Sequence, residues 1–284
     1  MRVAKILALA VFGSGLALNG AAAQGKTWDT VRIATEGAYP PWNFSRPDGT
    51  LDGFEIELAN DLCARMRVKC QIVAQDWDGM IPALNAGKYD AVMAGMDITE
   101  KRLEALNFSR PYANEPASFG VGKSGPLAKL PGDGVRYDLT ANPAEGAKVI
   151  DAMKPLFKGL TVGVQVSTNH AVFLDTYLRG AVEVRAYKTT QQHDLDLLAG
   201  RIDAIFGSMS ALRATFENPD FADFKMAGAQ FSGGVFGRGA GVGLRKSDPE
   251  LKWMFDDAIA AAIAEGTLQK LSFKWFKADL TPKD

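Results

Sequence analysis

The sequence predicts an α/β protein built as two similar lobes with a ligand cleft between them. Three observations carry this. Strand and helix patterns alternate as βαβαβ before residue 100, the same order returns after residue 160, and each series ends in nearly the same segment. Alternation of this kind argues for mostly parallel sheets with helices on their faces.

Val31–Thr35 reads as the first strand. Phe54 to Met66 reads as a helix, because Phe54, Leu58, Leu62 and Met66 recur at a four-residue step and fall on one face. Lys69 to Val73 is a second strand, Ile81 to Ala86 a short helix and Ala91–Met93 a short buried strand. In the second series Leu160 to Val164, Val182 to Tyr187 and Ala204–Phe206 are strands, and Asn169 to Tyr177 and Thr190 to Ala199 are helices. The segment from Leu84 to Met96 aligns with that from Leu197 to Met209. Both read helix end, Gly, basic residue, Asp, apolar strand, small-residue loop. Gly87 and Gly200 suit the left-handed position that ends a helix. Ligands of open α/β sheets lie beyond the carboxyl ends of the strands. The loops Ala94-Gly95-Met96-Asp97 and Gly207-Ser208-Met209 therefore face a common cleft.

Gly125 to Pro155, rich in Gly, Pro, Asp and Ala, reads as an irregular surface excursion of the second lobe. Ala240 to Leu244 reads as a strand, and Asp248 to Glu265 as a long helix with Asp248 at the N-cap and Pro249 at the first helical position. The Gly-rich run from Ser232 carries the chain back to the first lobe. The expected division is a leader over 1–23, one lobe from 24–114 with 231–284, and the other from 118–228. The crossings fall near 113–118 and 228–233, a hinge arrangement.

The N-terminus has the pattern of a secretory signal: Arg2 and Lys5, an apolar run from Ile6 to Leu18, and Ala21-Ala22-Ala23 before Gln24. The run is short of the ~20 residues needed to span a bilayer, so no membrane insertion is expected. With 32 Lys+Arg against 33 Asp+Glu the chain is nearly neutral and has no basic block, which points away from nucleic acid. Cys63 and Cys70, the only cysteines, read as a disulfide in an exported chain. The two histidines, His170 and His193, lie far from them, so neither a metal site nor a cofactor is expected.

Several short segments, taken in order, resemble the polar amino-acid family of periplasmic binding proteins, which have the type II fold. They are Val31–Pro41, Gly53–Leu58, Asp78–Leu84, Gly87–Ala91, Ile98–Arg102, Phe108–Tyr112 and Gly241–Lys246. The pattern is most similar to the lysine/arginine/ornithine binders and to the nopaline and octopine binders, and the Cys63–Cys70 spacing matches both. The resemblance implies capture of an amino-acid-like ligand by hinge closure and delivery to the membrane permease of an ABC importer. It implies a non-enzymatic monomer in the periplasm. The rivals are an enzyme on the same fold, such as a cyclohexadienyl dehydratase, and a receptor module that reports ligand to a sensor. No nucleophile–base pair or phosphate loop favours catalysis.

Residue by residue, the resemblance places the ligand carboxylate at Arg102, whose planar guanidinium matches it with two parallel bonds. Ser167, Thr168 and Asn169 open a helix whose free amides attract the same anion. Glu36 ends the first strand and suits a cationic group. Tyr39 and Trp77 are loop aromatics suited to stacking. Gln165, Ser118 and His170 are secondary candidates, with Ser118 facing the cleft beside the first crossing. Two positions depart from the pattern. Free amino-acid binders carry Ser or Thr where this chain has Asp97, and an acid where it has Ser208. The opine binders also lack that acid, which fits a substituted α-nitrogen.

Overall fold

A computed structural model describes residues 26–282. The leader expected over 1–23 lies outside them. No helix among the described residues is long and apolar enough to cross a membrane.

The first lobe is organised on a five-stranded sheet in the order Lys69–Ala74, Thr30–Thr35, Ala91–Val92, Ala240–Leu244, Asn107–Ala113. The first three strands and Asn107–Ala113 run in one direction, and Ala240–Leu244 runs antiparallel between its two neighbours. Val31 and Ile33 point into a core filled by Phe54, Leu58 and Leu62 of the helix Phe54–Met66, as its periodicity predicts. The helices Pro249–Ala264 and Thr267–Phe276 close the same core through Phe255, Ile259, Leu268 and Phe276. Asp248 is the N-cap and Pro249 the first helical residue, as read. Cys63 and Cys70 are joined as a disulfide.

The second lobe repeats the plan on a six-stranded sheet: Glu183–Tyr187, Thr161–Gln165, Ala204–Ser208, Ala117–Gly122, Phe224–Ser232, Arg136–Asp138. The repeated segment has a structural reason. Asp90 Oδ2 accepts the amide of Arg32 at 3.1 Å, and Asp203 Oδ2 accepts that of Thr161 at 2.8 Å. Each aspartate thus ties its own strand to the start of the neighbouring first strand. Gly87 and Gly200 hold the preceding turns at φ 75° and 66°.

The stretch 125–155 is not the surface excursion that its composition suggests. Arg136–Asp138 joins the sheet edge, and Pro143–Met153 is a helix whose Val149, Ile150 and Met153 enter the second core beside Leu127, Leu130 and Leu139. Gly146 is what misleads. A Cβ there would lie 2.4 Å from Leu139 Cδ2, so glycine inside this helix permits close packing.

The chain passes between the sheets twice. Residues 114–116 form the first passage. The second falls later than 228–233. That stretch lies mostly within the strand Phe224–Ser232 of the second sheet, and Phe236 still packs in the second core. The chain leaves through Gly237-Arg238-Gly239, where a Cβ at Gly237 would meet Ile98 O at 2.1 Å and one at Gly239 would meet Ala113 O at 2.5 Å. Both glycines also have positive φ, 72° and 96°, so the passage requires them.

Candidate functional site

Eleven of the expected residues line one cavity between the lobes: Glu36, Tyr39, Trp77, Ala94, Gly95, Asp97, Arg102, Gln165, Thr168, Asn169 and His170. Each comes from the carboxyl end of a strand or the start of a helix, as open-sheet geometry requires.

Arg102 sits in the single turn Glu100–Leu103. Thr99 caps it by accepting the Arg102 amide at 3.3 Å. Its guanidinium donates to Asp97 O at 3.0 Å and across the cleft to Ser167 O at 3.5 Å. It also lies over the Trp77 ring, 5.2 Å from the centroid. The fork is thereby held while half-buried in the cavity.

Opposite it begins the helix Asn169–Tyr177. Thr168 is the N-cap. Its hydroxyl accepts the Ala171 amide at 3.2 Å and donates to Gln165 O at 2.7 Å. That hydroxyl is therefore committed to the cap. The Asn169 and His170 amides have no protein partner among the described residues, and orphan donors of this kind attract anions.

Glu36, also on this cavity, is 8 % exposed. Gln165 Nε2 donates to its Oε1 at 2.7 Å, lobe to lobe. Burial raises the Glu36 carboxyl to about 7 against that bond. Asp97 Oδ2 accepts Asn169 Nδ2 at 3.0 Å, again across the cleft. Burial raises Asp97 to about 6 although Arg102 opposes the shift. His170 packs edge-on against Phe206 and beside Phe236. Burial, with Arg102 nearby, lowers its pKa to about 3, so it is neutral at pH 7.

Three expected residues stand outside this cavity. Ser208 forms the wall of two adjoining cavities, and its hydroxyl pairs with the Tyr39 hydroxyl at 2.5 Å. Ser167, at φ 59°, is exposed and contributes its carbonyl to Arg102. Ser118 is a correction. It is 2 % exposed, and its hydroxyl donates to the carbonyls of Ala227 and Ala229 at 3.4 and 3.2 Å within its own sheet. Both bonds run to the neighbouring strand Phe224–Ser232, so the hydroxyl is spent inside the sheet.

The adjoining cavities share Tyr39 and His170 with the first, so these two rings partition one interlobe space into three compartments.

Sequence reasoning passed over two acids. Glu55, 1 % exposed, accepts from Asn43 Nδ2 at 2.6 Å, from the Gly95 amide at 2.7 Å and from the Tyr112 hydroxyl. It fixes the Ala94–Asp97 loop from below. Its position one residue after Phe54, at the edge of the apolar face, was the available signal. Glu115, in the first passage, accepts the amide and the hydroxyl of Ser210 at 2.9 and 2.7 Å, and Ser210 Oγ accepts Trp42 Nε1–H at 2.8 Å. Burial raises Glu115 to about 7. No sequence pattern marks it.

These shifts set a pH dependence. Glu36 and Glu115 hold protons in the folded state between their ordinary 4.5 and about 7, and Asp97 does so between 3.8 and about 6. Where the folded state binds more protons, stability falls as pH rises. His170 acts oppositely, losing stability as pH falls below 6.5, but it is one group against three. The melting temperature of the ligand-free protein is expected to fall as pH rises from 5.5 to 7.5. A rise over that window, followed by scanning calorimetry, would contradict the assignment.

The comparisons agree with this geometry. Residues 31–278 match the family described as bacterial extracellular solute-binding proteins, family 3. The chain is 46 % identical to the octopine-binding periplasmic protein of Rhizobium meliloti, over 99 % of this chain and 100 % of the relative. It is 34 % identical to the L-arginine-binding protein of Pseudomonas aeruginosa, over 88 % and 89 %. An ancestral arginine-binding protein solved with glutamine superposes with a TM-score of 0.74 at 30 % identity, covering 89 % of this chain and all of that one. A continuous family match, two related binding proteins and a shared two-sheet fold place the chain among the bacterial extracellular solute-binding proteins of family 3.

Proposed function

We propose that this protein is the periplasmic substrate-binding component of an ABC importer, and that it traps a cationic amino acid or an N-substituted, opine-type derivative of one. The observation that carries this reading is the polarity of one cavity. Arg102 and the Asn169 helix start converge on it from opposite lobes, and the buried acid Glu36 lines the same cavity. The first pair takes a carboxylate and the acid takes a guanidinium or ammonium group. Trp77 and Tyr39 flank the chain between them.

The two relatives described above are named as binding proteins, for octopine and for L-arginine, which favours capture over catalysis. The octopine relative is named as a periplasmic protein, which with the signal pattern at Arg2–Ala23 supports export. The division of the interlobe space by Tyr39 and His170 favours a branched ligand over a linear one.

Closure follows from where the contacts lie. A ligand first meets Glu36, Trp77, Asp97 and Arg102 on one lobe, then gains Gln165, Asn169 and the helix amides on the other. It stabilises the closed arrangement only by those added contacts. In doing so it replaces the direct bonds Glu36–Gln165 and Asp97–Asn169. The hinge is the pair of passages at 114–116 and 237–239. The closed form then presents both lobes to the permease.

Titration calorimetry of the mature protein with octopine, arginine, lysine, ornithine and histidine tests the reading. Octopine is expected to bind at least about tenfold more tightly than arginine, a difference of about 1.4 kcal/mol. Absence of heat with all five would end the proposal.

A further inference from the structure

The compartment behind Tyr39, Gln165, His170 and Ser208 runs into the second lobe, between Phe206, Ala211 and Leu212 on one side and Thr190, His193, Asp194 and Thr215 around its polar part. His193 is 3 % exposed, and neither ring nitrogen has a hydrogen-bond partner among the described residues. Its Nδ1 lies 2.9 Å from Asp194 Oδ1, yet the pair misses hydrogen-bond alignment and Asp194 Oδ1 is also unpartnered. Asp194 Oδ2 is held by the Thr215 hydroxyl at 2.9 Å, and the imidazole meets Tyr187 edge-on. Three polar atoms are thus buried, fixed and unsatisfied beside one small cavity. Each such atom is costly to bury unless something bonds it.

We infer that this compartment is a ligand subsite, ending at His193, for a short carboxyl-bearing substituent on the nitrogen of the bound amino acid. The inference rests on the cleft reading above and names where the branch goes. Phe206, Ala211 and Leu212 suit the carbon skeleton of the arm. The imidazole, the Thr190 hydroxyl and the Tyr39–Ser208 hydroxyl pair supply hydrogen-bond donors for its carboxylate. Asp194, held by the Thr215 hydroxyl, lies beside the ring. The third compartment is the alternative route and holds two acids where the His193 compartment holds one. It is lined by Asp97 and Glu115, neither of which has a lysine or arginine side chain in ion-pair contact among the described residues, and the only histidine on its wall, His170, is neutral. A free amino acid has no such arm and leaves the His193 compartment unused.

The test pairs octopine, which carries a carboxyethyl arm, with L-arginine, which lacks it. Calorimetry is done on the wild type and on His193→Leu, which removes the polar end, and Ala211→Leu, which fills the space. Melting curves confirm that each variant folds. Both substitutions are expected to weaken octopine at least tenfold and to leave arginine within twofold. Equal losses for the two ligands, or no loss for octopine, would overturn the subsite. If the wild type binds neither ligand, the cleft reading fails instead. A crystal structure of the octopine complex decides independently. A carboxyethyl oxygen within 3.5 Å of the His193 ring supports the inference, and an arm beside Glu115, or a water alone at His193, refutes it.

Discussion

Arg102→Ala is expected to cut ligand affinity by at least a hundredfold while the protein stays folded. In the proposed complex the ligand carboxylate forms two charge-assisted bonds with the guanidinium, each contributing about 1.5–3 kcal/mol. Losing both costs about 3 kcal/mol or more, and each 1.4 kcal/mol is tenfold in Kd. The fold loses little, because the side chain is half-buried and its protein partners are the Asp97 and Ser167 carbonyls. Arg102→Lys is expected to recover only part of the loss, since an ammonium cannot present two parallel donors. Calorimetry with the best ligand of the panel, beside a melting curve, measures both quantities. Retained affinity in Arg102→Ala would remove this residue from the carboxylate site.

Glu55→Ala is expected to cost the fold about 3–6 kcal/mol. Three donors lose their acceptor at once in a site with no access to water: Asn43 Nδ2, the Gly95 amide and the Tyr112 hydroxyl. Each unsatisfied buried donor costs about 1–3 kcal/mol. Domains are stable by only about 5–15 kcal/mol, so this is a large share. Glu55→Gln keeps the volume and one good acceptor and is expected to lose roughly half as much. Urea unfolding gives the answer as a lower midpoint at unchanged slope. A shift under about 1 kcal/mol for the alanine variant would mean that Glu55 does not hold the loop. Ligand affinity should fall with stability, because the Gly95 amide anchors the loop that carries Asp97.

The two substitutions separate two kinds of residue. Arg102 lines the cleft and is expected to affect binding alone. Glu55 lies beneath the cleft and affects binding through the backbone it supports.

The sequence by itself determined the elements, because helices, strands and caps depend on neighbouring residues. The four-residue step from Phe54 to Met66 set a buried helix face. Pro249 set a helix start, and the repeated Gly-basic-x-Asp segment marked two lobes. Most of the cleft was legible for the same reason, since strand ends and helix starts must point there. Composition failed where packing overrode it, as at Gly146, whose missing side chain admits Leu139. Only the tertiary structure decided what the Ser118 hydroxyl bonds, where the second passage lies, and that Glu55 and Glu115 stand beneath and beside the site. These depend on contacts between residues far apart in the chain. Glu36 and Gln165 are 129 positions apart and Asp97 and Asn169 are 72 apart. The charge state of the cleft is decided at this level too. Glu36 and Asp97 are buried and take their bonds from Gln165 and Asn169 of the other lobe, so their charge depends on the two lobes meeting.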